Sequence, residues 1–244
     1  MKSSKLVFKL KVILLTTNTL HHQYLIKKIN NINNLELIIF FINSKNYKFN
    51  PKSEFENKEN KFEKHKFFKR KIFKIKNKKF YIKDINSKKT LNLVKKIKPN
   101  LGILFGTKKA DIEIINAFKK NLINIHRGIM QKYRGLDSEY WAIYNKDFNS
   151  VGATVHFVNK FLDKGKIIFE KKLNFKKNMK CYHLKYHTTL LATKYVIKII
   201  KTLMKKNKIK VLKKQKIGNY YSNIDTKRKE IACKNLQTYL NKNF

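Results

Sequence analysis

The sequence is poor in acidic residues, and arginine is scarce among its basic ones. Fifteen Asp and Glu residues stand against 58 Lys and Arg, so the formal net charge is +43. The only arginines are Arg70, Arg127, Arg134 and Arg228. Proteins that read nucleic acid rely on the planar guanidinium fork, whereas here Lys, Asn, Ile and Phe, which share AT-rich codons, are enriched together. Drift in base composition explains the charge, so we expect no dedicated nucleic-acid partner, although the positive field still attracts anionic small substrates.

Cysteine and long apolar runs are also scarce. Cys181 and Cys233 lack metal-ligand spacing, which favours two ordinary thiols in a reducing compartment and no metal site. Lys9 and Lys11 interrupt the apolar amino terminus, and no small-residue cleavage site follows, which disfavours a signal peptide. No stretch approaches the roughly 18 uncharged apolar residues of a spanning helix. We therefore expect a soluble, cytoplasmic protein without a membrane partner.

The chain does contain a regular alternation of short apolar runs and amphipathic stretches. The apolar runs predict strands at residues 12–16, 35–42, 101–105, 122–125, 151–158 and 166–173. Helical spacing predicts helices at residues 20–29, 90–98, 111–119, 184–206 and 227–240, the first of them capped by the polar side chains of Thr17, Asn18 and Thr19.

This order predicts an α/β fold with a Rossmann-like, doubly wound and mostly parallel sheet. Residues 1–206 would form the main domain, and residues 207–244 a short basic extension with a terminal helix. Residues 43–79 mix Lys, Asn, Glu and Phe without clean periodicity, so a variable excursion and a helix both stay open there.

Residues with special chemistry are concentrated in one part of the chain. Trp141, Arg127 and Arg134 lie between residues 102 and 165. The same segment holds six of the seven glycines, which are Gly102, Gly106, Gly128, Gly135, Gly152 and Gly165. In a chain that is drifting toward Lys and Asn, this retention indicates a segment where backbone geometry and chemistry are constrained.

Three side chains in this segment could carry acyl transfer to an amine. Alternation along a strand places Asn124 and His126 on the same side, at the carboxyl end where open α/β sheets bind ligands. Asp163 adds a carboxylate in a later turn. An amide can donate to an oxyanion, an imidazole can move a proton, and a carboxylate can orient the imidazole. Because no Ser or Cys lies beside them as a nucleophile, direct transfer is the more natural mechanism.

Each of these residues also has a structural interpretation. A histidine that ends a strand is more often structural than catalytic, and Asp-Lys-Gly at Asp163 is commonly just a turn. His156 is expected to be packed or hydrogen-bonded. His21 and His22 are expected to be residues of a helix start.

The ordered blocks NIHRGIMQKYRG (residues 124–135) and VGATVHFVNKFLDKGKII (residues 151–168) resemble the folate-dependent formyltransferase family. Its members carry Asn-x-His, a loop that ends in Tyr/Trp-Arg-Gly, then Gly-x-Thr-x-His/Met and Leu-Asp-x-Gly. The 37 positions from His126 to Asp163 are close to the family's usual gap. The resemblance covers residues 100–170 well and residues 14–29 more weakly.

The resemblance implies a formyltransferase fold and 10-formyltetrahydrofolate as the formyl donor. It implies that Asn124 polarises the formyl oxygen, that His126 acts as acid and base, and that Asp163 supports His126 and an ordered water. Arg134 and Gly135 would help to shape the acceptor side. The folate would lie mainly against backbone groups of Leu104, Phe105, Gly106, Thr107, Val158, Phe161 and Leu162.

Two features separate this chain from parts of that family. Met130-Gln131 stands where the loop usually reads Leu-Pro, which leaves the loop geometry open but removes no reacting group. The roughly 40 residues after Lys206 cannot readily form the barrel domain that members acting on initiator tRNA add.

The stretch GLDSEYWAIYNKDF (residues 135–148) resembles the corresponding stretch of family members that act on sugars or cell-surface polysaccharides. A nucleotide-linked amino sugar is therefore the expected acceptor.

Several alternatives stay open at this point. One is a glycinamide ribonucleotide or methionyl-tRNA formyltransferase. Another is a formyltetrahydrofolate hydrolase, although such deformylases usually carry a regulatory domain for which there is no room before Val12. A third is a basic polyanion-binding protein without catalytic activity. The identity of the acceptor and the oligomeric state, including a homodimer, are not decided by the sequence.

Overall fold

The first strand shows how the sheet divides the core. Val12 and Leu14 pack into one buried cluster, whereas Ile13 and Leu15 pack into another. Successive side chains of a strand point to opposite faces, so both faces of this strand are buried. This is the pattern of an inner strand in a parallel sheet covered by helices on both sides.

The computed structural model describes residues 9–42, 50, 53–161, 165–214, 216 and 218–244. The strands are β1 (Leu10–Thr16), β2 (Leu35–Phe41), β3 (Lys79–Tyr81), β4 (Leu101–Phe105), β5 (Leu122–His126), β6 (Tyr133–Gly135), β7 (Gly152–Phe157), β8 (Ile167–Lys172) and β9 (Asn219–Tyr221). The helices are α1 (Leu20–Ile29), α2 (Glu54–Phe68), α3 (Lys88–Ile97), α4 (Ile112–Ala117), α5 (Ser138–Tyr144), α6 (Leu184–Lys206) and α7 (Thr226–Asn243).

Seven strands form the main sheet in the order β3-β2-β1-β4-β5-β7-β8. Pairing is parallel from β3 to β5, while β7 is antiparallel to both β5 and β8. Helices α1 and α6 contribute to the cluster on one face, and α3 and α4 contribute to the cluster on the other. The predicted α/β fold with a mostly parallel, doubly wound sheet is therefore confirmed.

The open segment at residues 43–79 contains a helix where the structure describes it. The Ser53 hydroxyl accepts a hydrogen bond from the Glu56 backbone N–H at 3.2 Å and so caps the start of α2. Lys69 ends the helix in the left-handed conformation. The expected capping of α1 was wrong in detail, because Thr19 occupies the N-cap position without a side-chain capping bond. Its hydroxyl instead lies 2.7 Å from His22 Nδ1.

The carboxyl-terminal part packs beside the main sheet. Leu236 and Leu240 of α7 and Tyr140 of α5 belong to a third buried cluster. Cys181 and Cys233 form a disulfide at this place. The expectation of two separate thiols was wrong, because the two positions, 52 residues apart in sequence, meet only when α7 folds back.

No helix in the described part of the chain is both long enough and apolar enough to cross a membrane.

Candidate active site

A cavity of about 540 Å³ lies where the chain leaves β1, β4 and β5. Such crevices at the carboxyl ends of parallel strands are the usual ligand sites of open α/β sheets. Asn124 and His126, both on β5, line this cavity. It is also lined by most of the other residues predicted for the site, namely Leu104, Phe105, Gly106, Thr107, Gly135, Val158 and Phe161.

Asn124 is held by a histidine on the neighbouring strand. Asn124 and His156 are paired in the antiparallel register of β5 and β7, and Asn124 Nδ2 lies 3.1 Å from His156 Nε2. His156 Nδ1 lies 2.8 Å from the Phe157 carbonyl oxygen. A carbonyl only accepts, so Nδ1 carries the proton and Nε2 accepts from the Asn124 amide. The expectation that His156 is hydrogen-bonded is met, and the ring also lines the cavity.

His126 is buried at the end of β5. Its Nε2 lies 2.9 Å from the Tyr133 carbonyl oxygen, and because a carbonyl only accepts, Nε2 carries a proton and is the donor. A Cβ placed on Gly128 would lie 2.9 Å from His126 Nε2 and 2.6 Å from Ser138 Cβ. The ring therefore sits close to the backbone of the following loop and to the start of α5.

Two of the predicted site residues lie outside the described part of the chain, and a third is not part of the described cavity lining. Asp163 and Leu162 lie outside the described residues, so their proposed roles stay predictions. Arg134 is not among the residues that line the cavity in the described part of the chain. Its Nε donates to the Gly218 carbonyl oxygen at 2.7 Å, which ties the carboxyl-terminal segment to β6 beside Gly135.

The two histidines at the start of α1 also line the cavity. His22 Nδ1 lies 2.8 Å from the Thr17 hydroxyl and 2.7 Å from the Thr19 hydroxyl. Burial lowers the pKa of His22 well below its ordinary value, with further lowering by His21 and nearby cations. Burial and Arg127 likewise lower the pKa of His21. Both rings are therefore neutral near pH 7, and the helix-start interpretation omitted their contact with the cavity.

A buried charge cluster, formed by Glu59, Glu63, Arg127, Glu139 and Lys185, adjoins the cavity. Lys185 Nζ lies 2.6 Å from Glu59 Oε2, and Arg127 Nε lies 3.7 Å from Glu139 Oε1. Burial would lower the pKa of Arg127, but Glu139, Glu63 and Glu59 raise it. Burial raises the pKa of Glu139, and Arg127 opposes that shift. The cluster thus keeps a charged guanidinium next to His126.

Helix α2 supplies two members of this cluster. Glu59 Oε1 accepts a hydrogen bond from the Tyr140 hydroxyl at 2.6 Å. Glu63 Oε2 lies 3.2 Å from His21 Nδ1. Burial raises the pKa of Glu63 to about 7, although Lys185 and Arg127 act to lower it. Because His21 is neutral, this contact is a hydrogen bond in which either group supplies the proton, depending on pH.

Three neighbouring polar groups in the cavity wall make no hydrogen bond among the residues that the structure describes. They are Arg127 Nη1, Ser138 Oγ and Glu139 Oε1, and all three residues line the cavity. Buried polar atoms are hydrogen-bonded in the great majority of cases. This polar wall therefore has hydrogen-bonding capacity that the described residues leave unused.

The carboxyl-terminal extension contributes a further part of the site. Strand β9 pairs in parallel with β6, with Tyr220 opposite Arg134 and Tyr221 opposite Gly135. Tyr220 lines the cavity. No local pattern indicated Tyr220, because β9 is three residues long and the pairing joins segments more than 80 residues apart.

Comparison with known proteins identifies related sequences. The formyl transferase family model matches residues 11–200. The bifunctional polymyxin resistance protein ArnA of Wigglesworthia glossinidia brevipalpis is 29% identical over 131 residues, which are 53% of this chain and 20% of that protein. The methionyl-tRNA formyltransferase of Borrelia garinii subsp. bavariensis is 27% identical over 117 residues, which are 48% of this chain and 37% of that protein. These two matches therefore span well under half of either relative.

Solved structures share the fold over nearly the whole chain. A 4-N-formyltransferase from Francisella tularensis superposes with a TM-score of 0.61 at 20% identity, covering 91% of this chain and 86% of that one. Phosphoribosylglycinamide formyltransferase from Anaplasma phagocytophilum gives a TM-score of 0.61 at 15% identity, covering 88% and 100%. A sugar 3-N-formyltransferase, solved with dTDP and 5-N-formyltetrahydrofolate, gives 0.57 at 20% identity, covering 88% and 71%.

Proposed function

The chain belongs to the formyl transferase family, and from that premise we propose that it transfers a formyl group from 10-formyltetrahydrofolate to a primary amine by direct acyl transfer. The observation that carries the proposal is the placement of Asn124 and His126 in one cavity at the carboxyl end of β5. They supply an amide donor and a proton acceptor, which are the groups that attack of an amine on a formyl carbon requires.

The cavity suits the folate in size and in lining. Its volume of about 540 Å³ lies within the range of pockets that hold molecules of this size. Gly106 has a φ of +69°, a conformation that glycine adopts readily, and the His22 ring fills the space that a Cβ would take there. Support also comes from the sugar 3-N-formyltransferase that was solved with 5-N-formyltetrahydrofolate. Leu104, Phe105, Thr107, Val158, Phe161 and Leu162 complete the proposed folate site.

In the proposed reaction the amine nitrogen forms a bond to the formyl carbon, and the bond from that carbon to the folate nitrogen breaks. The Asn124 amide has two N–H donors. It donates to His156, and in the reaction it also donates to the formyl oxygen as negative charge develops there. His126 Nδ1 takes the proton that the attacking amine loses and returns it to the folate nitrogen. Asp163 would support His126, as the family resemblance implies.

The polar wall supports an acceptor that carries hydroxyl groups near its amine. A hydroxyl can accept from Arg127 and donate to Glu139 at the same time, so it satisfies groups that otherwise cost free energy when buried. One structural relative is named as a sugar 3-N-formyltransferase, and another is named as a 4-N-formyltransferase. We therefore propose a nucleotide-linked amino sugar as the acceptor, bound with the help of Gly135 and the loop that Arg134 anchors.

Two other acceptors are represented among the relatives. The curated matches include methionyl-tRNA formyltransferases, and the structural matches include a phosphoribosylglycinamide enzyme. Transfer to either of these acceptors would use the same proposed chemistry at Asn124 and His126, so these alternatives differ from the main proposal in the acceptor alone. An assay with several amines separates them.

The proposal is tested by incubating the full chain with 10-formyltetrahydrofolate and a panel of amines. The panel holds nucleotide-linked amino sugars, glycinamide ribonucleotide and methionyl-tRNA, and formate release is followed in parallel. We expect a formylated nucleotide-linked sugar as the product. Asn124→Ala should lower kcat by roughly 10²- to 10³-fold, and His126→Ala by roughly 10²- to 10⁴-fold.

Matched controls are Asn116→Ala and His65→Ala, because both residues are exposed and lie outside the cavity. Both should keep the activity of the natural sequence. If no amine is formylated and no formate appears, the proposed enzymatic activity is wrong. If formate alone appears, the protein is a hydrolase.

A further inference from the structure

The mouth of the cavity carries large exposed apolar side chains. Tyr220 is 57% exposed and Leu136 is 52% exposed, and both line the cavity. Single exposed apolar residues are ordinary on a protein surface. Phe161, which belongs to the proposed folate site, is also 51% exposed and lines the cavity. Exposed apolar residues gathered on one ligand-sized cavity indicate a place where bound apolar surface would be covered. We call Tyr220 and Leu136 the apolar rim.

The apolar rim is held in place by several non-local contacts. Leu136 N–H donates to the Tyr221 carbonyl oxygen at 3.0 Å, and the Trp141 indole N–H donates to the Ser222 carbonyl oxygen at 2.8 Å. The Tyr221 ring stacks on Tyr133 with centroids 5.2 Å apart. Since neighbouring residues of a strand point in opposite directions, Tyr221 anchors β9 while Tyr220 is presented to the cavity. The backbone that carries Tyr220 and Leu136 is therefore already in place before a ligand binds.

We propose that the apolar rim binds the planar base of the acceptor's nucleotide by stacking on Tyr220, with Leu136 covering its edge. This inference rests on the proposed function and adds the part of the acceptor that the carboxyl-terminal extension recognises. Aromatic rings and bases stack face to face with little dependence on the identity of the base. The polar wall beside His126 would then hold the amino sugar, and the apolar rim would hold the other end of the same molecule.

The position of the rim favours the acceptor over the folate. Tyr220 and Leu136 are attached to β9 and to the end of β6, whereas the proposed folate residues come from the end of β4 and from the segment after β7. Two side chains are also far too small a surface for a stable protein–protein interface. A planar group on a small molecule is therefore the occupant to which the rim is suited.

The test measures binding of nucleoside monophosphates to the full chain by calorimetry, with ribose 5-phosphate as the probe that lacks a base. We expect UMP, TMP and AMP to bind at least about tenfold more tightly than ribose 5-phosphate. Tyr220→Ala should weaken binding of the nucleotides by roughly 5- to 150-fold and leave binding of ribose 5-phosphate unchanged. Tyr220→Phe keeps the ring and should bind within about twofold of the natural sequence.

Leu136→Ala should also weaken nucleotide binding, by a smaller factor. Its matched control is Leu212→Ala, because Leu212 is 57% exposed and does not line the cavity. The proposal is overturned if nucleotides bind no better than ribose 5-phosphate. It is equally overturned if Tyr220→Ala binds UMP as tightly as the natural sequence does.

Formyl transfer is measured on the same preparations, so the two proposals fail separately. Transfer to an amine without any nucleotide binding would overturn the apolar rim and leave the transferase intact. Base-dependent binding that needs Tyr220, with no transfer to any amine, would support the rim and contradict the enzymatic activity.

Discussion

Asn124 and His156 face each other across β5 and β7, with the Asn124 amide nitrogen 3.1 Å from His156 Nε2. The bond from His156 Nδ1 to the Phe157 carbonyl oxygen fixes the ring as an acceptor toward Asn124. An asparagine amide can rotate by half a turn and exchange its oxygen and nitrogen. Here the acceptor on His156 selects the orientation in which the nitrogen faces it, so His156 is a positioning residue for the proposed oxyanion donor.

This relationship predicts how substitutions of His156 affect turnover. His156→Phe removes the acceptor and should lower kcat by about tenfold, while KM for the acceptor amine changes little. His156→Gln restores an acceptor oxygen and should recover most of the loss. His187→Phe, at a half-exposed histidine on α6, is the control. Equal activity of His156→Phe and the natural sequence in steady-state kinetics would contradict the positioning role.

A second prediction concerns the space around His126. An alanine Cβ at position 128 would lie 2.9 Å from His126 Nε2 and 2.6 Å from Ser138 Cβ, so Gly128→Ala should displace the ring from its bond to the Tyr133 carbonyl oxygen. We expect kcat to fall by about 10²-fold, while the unfolding temperature changes little. Adding Ser138→Gly relieves one of the two clashes and should recover part of the loss. Unchanged kcat in Gly128→Ala would show that the ring tolerates the displacement.

The parts of the fold that depend on local patterns were predictable from the sequence. The apolar run at β4 and the amphipathic stretches at α1 and α6 give the observed bounds. Strand alternation also placed Asn124 and His126 together at the end of β5, and both line the cavity. These predictions succeed because each needs only the period of side chains along one element.

The parts that depend on contacts between distant segments were not predictable. Glu59 and Glu63 lie on a helix with little amphipathic pattern, and Lys185, the partner of Glu59, is 126 residues away. Tyr220 reaches the cavity only because β9 pairs with β6. Cys181 and Cys233 meet for the same kind of reason. No local period records which helix or strand will lie opposite such residues.

The disulfide leads to a third prediction. It joins the turn before α6 to α7 across 52 residues, and closing a loop of that length in the unfolded chain contributes about 4 kcal/mol in the chain-entropy estimate. Reducing agent should therefore lower the unfolding temperature by roughly 10 °C. The double variant Cys181→Ser/Cys233→Ser should unfold at the lower temperature and show no further response to reductant. An equal response in the variant and the natural sequence would place the effect elsewhere.

Glu63 gives a fourth prediction, on the pH dependence of stability. Burial raises its pKa from 4.5 to about 7, against the lowering effects of Lys185 and Arg127. Its other charged or titratable neighbours are His21, at 3.2 Å, and Glu59 and Glu139 of the buried charge cluster. The folded protein holds a proton on Glu63 that the unfolded chain loses above pH 4.5. The stability contributed by this group is therefore fully present below pH 4.5 and is lost as pH rises through about 7.

The measurement compares urea unfolding of the natural sequence and Glu63→Gln from pH 4.5 to pH 8. Since glutamine does not titrate, the free energy of unfolding of Glu63→Gln should rise relative to the natural sequence by about 3 kcal/mol over this range. Glu113→Gln changes an exposed glutamate on α4, and its difference from the natural sequence should stay flat. A flat difference for Glu63→Gln as well would mean that the Glu63 carboxyl is ionised in the folded protein at pH 5. Lys185 and Arg127 would then offset the cost of burial, and the hydrogen bond to His21 would come from the His21 ring at every pH in this range.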